Sequence, residues 1–351
     1  MSSPTPPPLK DQVVAAIAVA GLLLVARYAS PIVVPFLLAL FITVVAIGPI
    51  QWMKKRGFSP MVSVIAVILL VIASNILLIY ILGSTIDQFT DALPGYQSRL
   101  TDLTQNFFHW GEKLGLPNAT EALQKIFNPG MAMKFVNTLL GSVTGLMSSA
   151  VLILFTATLM LLEAEGFPRK IRLIKKGKGE KSVERLSLIV TSMSQYASTK
   201  AFISLITALL VWIGLKLVGL DFAILWAFLA FILNFIPNIG SIMAAVPAIF
   251  IALIQLNPAM ALVVAALYLT INMVIGNIVE PMFMGKRMGL STLAVFLSLL
   301  FWGWMFGPVG MLLSVPLTMV VKFFADAHPQ LEWLAILLSP APPIDEEAEL
   351  H

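Results

Sequence analysis

MVSVIAVILLVIASNILLIYILG, residues 61–83, runs for 23 residues without one charged side chain. A hydrocarbon core is crossed by about 20 apolar residues of α-helix, and the stretch lacks the inside–outside alternation of a barrel strand. Backbone polar groups surrounded by lipid must be satisfied within their own segment, so this stretch reads as a transmembrane helix. Further apolar segments lie at 13–26, 31–50, 148–162, 201–219, 222–235, 242–255, 259–279, 292–306 and 311–324. Hydrophobic residues make up 59% of the chain and charged residues 11%, a balance no soluble core of this size requires. The expected fold is all-α: a polytopic membrane protein of about eight transmembrane or re-entrant helices with an extracytoplasmic amphipathic helical segment.

Charge orients this plan. Lys54, Lys55 and Arg56 follow the second apolar segment, and FPRKIRLIKKGKGEKSVER (167–185) holds eight of the 22 Lys and Arg residues. Positive charge near span ends marks the cytoplasmic side, which puts both termini, the basic loop, Lys286, Arg287 and Lys322 inside. The expected organisation is a disordered tail (1–12), N-terminal transmembrane helices (13–83) and the extracytoplasmic segment (84–147). A helix with the basic loop (148–200), a C-terminal transmembrane region with broken helices (201–325) and a cytoplasmic tail with an acidic DEEAE run (326–351) complete it. Residues 13–26 resemble a signal-peptide core, but the chain stays apolar from 31 to 50, which favours an uncleaved helical hairpin.

Other classes are excluded by what the sequence lacks. The chain has no cysteine, and His109, His328 and His351 are scattered, so neither a metal site nor a redox cofactor is expected. GKGEKS lacks P-loop spacing, so the basic loop is read as a topological signal and a contact for anionic lipid, with no nucleic acid and no ATP. No enzymatic constellation is visible, and no cofactor is implied.

Within 84–147, Ile86, Phe89, Leu93, Tyr96, Leu100, Leu103, Phe107, Trp110 and Leu114 alternate at intervals of three and four. That is the 3.5-residue repeat of a helix seam, which packs either on helices of the same chain or on copies around a symmetry axis through Leu100, Leu103, Phe107 and Trp110. Pro94-Gly95 is expected to break or kink it. Gly141, Gly145 and Ser149 form a small-xxx-small ladder that would let two helix backbones approach closely.

The second half concentrates helix breakers. Pro237, Gly240, Pro247, Pro281, Gly285, Gly307, Pro308, Gly310 and Pro316 lie in or beside apolar segments. Broken helices expose backbone polar groups, tolerated at membrane depth only where protein or a water-lined cavity covers them, and paired interrupted segments point to transporter sites. Asn234, Asn238, Asn272, Asn277 and Glu280 are costly toward lipid and should face the bundle interior or the cytoplasmic interface, as a solute pathway or as ties between helices. Pro281 should end the helix at Glu280 and turn the chain, freeing carbonyls near Asn277; Glu280 then pairs with Lys286 or Arg287, accepts amide hydrogen bonds, or lines a gate.

FIPNIGSIMAAVPA (235–248) and NIVEPMFMGKRMGLSTLAVFLSLLFWGWMFGPVGMLLSVPL (277–317) resemble the bacterial autoinducer-2 exporter family, above all its quorum-signal transport branch. P-N-I-G, E-P-x-x-x-G and G-P-x-G-x-x-x-x-x-P occur in the family's order. The resemblance implies an inner-membrane protein that exports a small furanosyl signalling molecule, autoinducer-2, and assembles as a homo-oligomer, with a pentamer as the candidate stoichiometry. The helix breaks and polar groups above make Asn234, Pro237, Asn238, Gly240, Asn272, Asn277, Glu280, Pro281, Gly307 and Pro308 the expected pathway, with Trp302 as an aromatic contact for a neutral polyol. The resemblance also extends to branches associated with Na⁺ or Li⁺ exchange against H⁺; an antiporter needs a titratable group in the pathway, and Glu280 is the candidate in this chain. A scaffold that moves no solute is the third alternative.

Overall fold

The computed structural model describes residues 9–113, 129–164, 166, 169–170, 173, 180–237, 239–284 and 289–340. Every regular element among them is helical. Of the expectations above, the structures of residues 1–8, most of the basic loop, Asn238, Gly285, Lys286, Arg287 and the DEEAE run lie outside the described residues, as do the side chains of Phe107 and Trp110.

The first half consists of α1 (Leu9–Tyr28), α2 (Ser30–Lys55), α3 (Pro60–Lys113) and α4 (Pro129–Ala164). Next comes α5 (Glu180–Val218), which runs through the expected boundary at 200 and so carries Lys200 within a helix. By length and composition six described helices are apolar enough to cross a membrane, counting residues 292–312 as one helix although it breaks at Gly307. Large side chains such as Leu69, Leu70, Phe155, Leu205 and Leu262 stand exposed on them, as a lipid-facing surface requires.

Pro94 does not end α3, which continues to Lys113. A proline removes one backbone donor, and buried anchors on both sides of it, Phe89, Tyr96 and Leu100, hold the helix in place. These anchors also decide most of the seam. Phe89 packs edge-on against Phe222 and Trp226 at 5.3 and 5.5 Å, and Tyr96 Oη donates to Asp221 Oδ2 at 3.1 Å. The stretch from Ile86 to Leu100 thus packs within its own chain, whereas Leu103 is exposed.

The short apolar segments form two helical hairpins. In the first, α6 (Ala223–Leu233) and α7 (Ile239–Gln255) run against each other. Gln255 Oε1 accepts from Asp221 N and Gln255 Nε2 donates to Gly219 O, so both limbs start and finish at the C-terminal end of α5. After α7, Asn257 caps α8 (Pro258–Val274) by accepting from Met260 N. A π-helical turn (Ile275–Val279) leads from it into α9 (Glu280–Met284).

The second hairpin is α10 (Thr292–Leu312) with α11 (Ser314–Asp326). The helical run of α10 is interrupted at Gly307, whose φ of 64° and ψ of −146° reverse the chain there. Its open end is held by Lys322 Nζ donating to Gly289 O and by Ser291 N donating to Leu338 O of α12 (Glu332–Leu338). Leu290, Val315 and Met319 pack there with Tyr196, on the N-terminal half of α5 and well removed from Gly219. The two hairpins therefore open toward opposite ends of α5.

The expected turn at Glu280 does not occur. Glu280 is helical, at φ −60° and ψ −46°, and its N–H reaches Ile275 O, five residues back. The wider π turn takes up the extra residue and lets the helix continue past Pro281, where an α-helical ladder would have set the ring against the carbonyl of Asn277.

Candidate functional site

Each hairpin tip is built from the same kind of residues. Phe235-Ile236-Pro237 leads to Gly240, and Phe306-Gly307-Pro308 leads to Gly310. A Cβ on Gly240 would lie 1.7 Å from Leu233 O, and one on Gly310 would lie 1.9 Å from Trp302 O. In both hairpins the returning limb therefore presses its glycine against the backbone of the incoming limb, a contact no other residue permits. Trp302 Nε1 donates to Thr318 Oγ1 at 3.0 Å across the second hairpin, and its ring stacks on Phe306.

The tips meet. Phe235 packs with Leu312 and Leu313, with Phe41, Phe231 and Val309 around them. Beside this contact is a cavity of about 430 Å³ walled by both hairpins (Ile236, Phe306, Pro308, Val309), by α2 (Ser30, Pro35, Leu38) and by α4 (Gly145, Ser149, Ile153). Its lining is mostly apolar with a few hydroxyls, the usual character of a small-molecule site, and its size falls within the usual range. The small residues of α4 do not bring two backbones together: open space surrounds the Cβ positions of Gly141 and Gly145, and Gly145 and Ser149 instead make room for the cavity.

The pathway residues expected from sequence divide into groups. Pro308 lines the cavity, while Pro237, Gly240 and Gly307 shape the tips. Asn234 and Asn272 meet elsewhere, in a small chamber with Thr207, Ser241 and Tyr268, and Asn234 Nδ2 donates to Ser204 Oγ at 2.8 Å. Asn277 and Pro281 are exposed on the π turn and α9, so Asn277 does not face the interior.

Glu280 is paired, with a residue the sequence reading passed over. Lys200 Nζ lies 2.7 Å from Glu280 Oε1, with Lys200 4% and Glu280 25% exposed. A buried ammonium on a membrane helix is costly unless matched, and such residues mark functional positions. Lys200, Ser204 and Thr207, all buried, follow one another at four and three residues along one face of α5. That spacing, running into the apolar stretch that starts at Ala201, is the signal the sequence offers. Counting the apolar run from Ala201 left Lys200 in the preceding loop.

The chain matches known proteins over most of its length. The model of a family described as AI-2E family transporter matches residues 14–330. The chain is 39% identical over 315 residues, 89% of its length and 91% of the relative's, to the AI-2 transport protein TqsA of Escherichia coli. It is 37% identical to the putative transport protein YhhT of the same organism, covering 90% of each chain, and 37% identical to a putative transport protein of Haemophilus influenzae over 89% of this chain and 91% of that one. A multi-pass helical membrane protein with paired broken hairpins, matched over most of its length, this chain belongs to the AI-2E family of transporters.

Proposed function

We propose that this protein exports a small polar signalling molecule of the autoinducer-2 kind from the cytoplasm across the bacterial inner membrane, through the cavity where the hairpin tips meet. The observation that carries the reading is the meeting itself: two hairpins entering from opposite ends, with backbone reversals at Asn234–Gly240 and Phe306–Gly310 beside a cavity of about 430 Å³. The 11 residues of α6 rise about 16 Å, and the α10 limb from 292 to 306 about 22 Å, short of a hydrocarbon core of about 30 Å. Because one limb of each hairpin is too short to cross, we read both hairpins as re-entrant, with their tips at membrane depth, where transporter sites form from broken helices. The name of the TqsA relative supports autoinducer-2 as the solute.

In this account the termini and basic loop are cytoplasmic, which puts the Gln255 end outside and the Lys200–Glu280 pair near the inner face. Rocking of one hairpin against the other opens the cavity to each side in turn. Copies associate through the far part of α3, where Leu103 is exposed.

The Lys200–Glu280 pair favours a second reading, exchange of Na⁺ or Li⁺ against H⁺, because a carboxylate at the inner end of a pathway can bind a cation or a proton. Purified protein in proteoliposomes separates the readings: loaded with autoinducer-2 and Na⁺ in parallel assays, it moves the signal molecule. Na⁺ movement coupled to pH without signal transport would establish the exchanger, and movement of neither would leave a scaffold.

A further inference from the structure

Thr207 on α5, Asn234 at the tip of the first hairpin, Ser241 on α7, and Tyr268 and Asn272 on α8 enclose a chamber of about 10 Å³, roughly the space that one water molecule needs. Tyr268 is 2% exposed, and among the described residues none hydrogen-bonds its hydroxyl, although that hydroxyl lines a polar chamber. A phenol buried in this way forgoes a hydrogen bond and its hydration together, so native structures provide it with a partner. The neighbouring groups are already oriented. Thr207 Oγ1 donates to Ile203 O at 2.9 Å and Asn234 Nδ2 donates to Ser204 Oγ at 2.8 Å, which leaves a threonine lone pair and the Asn234 carbonyl oxygen as acceptors.

We infer that this chamber is a binding site for a single ordered water, which accepts from the Tyr268 hydroxyl and donates to the oxygens of Asn234 and Thr207. One such molecule joins α5 and α8 to Asn234, the residue that follows α6, and so pins the first hairpin at the place where its chain reverses. The chemistry of the lining selects water over a cation. Every polar group around the chamber is neutral, so a bare cation there would be dehydrated without a countercharge, whereas water needs only the donors and acceptors present. The site is separate from the solute cavity, whose walls share none of its residues, and it does not depend on which solute that cavity carries.

The test uses the full chain in lipid nanodiscs, imaged at a resolution that shows ordered water, once in Na⁺ and once with N-methylglucamine replacing it. A density peak in hydrogen-bond contact with Tyr268 Oη in both buffers is expected. Two substitutions then probe its effect on the hairpin. Tyr268→Phe removes the donor, and Ala244→Val extends methyl groups from a wall residue into the chamber. Each is expected to speed hydrogen exchange of the backbone from 230 to 244 by about tenfold, equally in both buffers. A peak that vanishes without Na⁺ would overturn the inference in favour of a cation. No peak in the wild-type protein, or wild-type exchange rates in both variants, would overturn it outright.

Discussion

Lys200 and Glu280, 80 residues apart in sequence, form an ion pair at 2.7 Å that ties α5 to the helix just past the π turn. The two partners are not equivalent, since the ammonium is almost fully enclosed and the carboxylate is partly open.

Removing them should therefore cost different amounts. Glu280→Gln leaves a buried, unmatched ammonium and is expected to destabilise by about 3 kcal/mol, whereas Lys200→Met leaves a carboxylate that still reaches solvent and should cost about 1 kcal/mol. The double variant should regain most of the Glu280→Gln loss. Unfolding of the three variants in one detergent measures this, and equal costs for the single variants would show that burial of Lys200 does not govern the pair.

The hairpin tips depend on two glycines. Gly240→Ala and Gly310→Ala each place a methyl group against a backbone carbonyl and should cost at least about 2 kcal/mol, seen as lost thermal stability and low folded yield. Gly145→Ala, which meets open space, should stay within about 0.5 kcal/mol of wild type.

Leu100 and Leu103 distinguish packing within the chain from the proposed contact between copies. Leu100→Glu buries a charge inside the protomer and should lower its stability. Leu103→Glu should leave the protomer stable and reduce assembly, as mass measurement in nanodiscs would show. A wild-type monomer under those conditions would remove the interface from the account.

Sidedness can be read with cysteines, because the native chain has none. A cysteine replacing Lys176 should resist an impermeant reagent in intact cells, and one replacing the exposed Ser98 should react.

Much of the fold could be read from segment length and charge, since a run such as 61–83 has no soluble alternative. The two reversals were marked by Pro237-Asn238-Ile239-Gly240 and Gly307-Pro308-Val309-Gly310, because proline and glycine act locally. That the tips meet was not legible: a short apolar helix without a strong face carries no record of its neighbours. The rule that proline ends a helix failed at Pro281, where a π turn relieved the clash. Small residues at Gly145 and Ser149 fit a close helix contact or a cavity wall equally well, and only packing decided between them. Tyr268 read as one more apolar residue of α8, since its hydroxyl gains meaning only from the asparagines that folding brings beside it.

The central claim, that solute passes through the cavity between the tips, is tested most directly by autoinducer-2 transport in proteoliposomes containing wild type, Gly145→Leu or Ser149→Leu. Both residues line the cavity from α4, and open space surrounds the Cβ position of Gly145. The expected result is wild-type transport that falls by about tenfold or more in each variant at unchanged thermal stability. Transport at the wild-type rate through a cavity occupied by leucine would contradict the account.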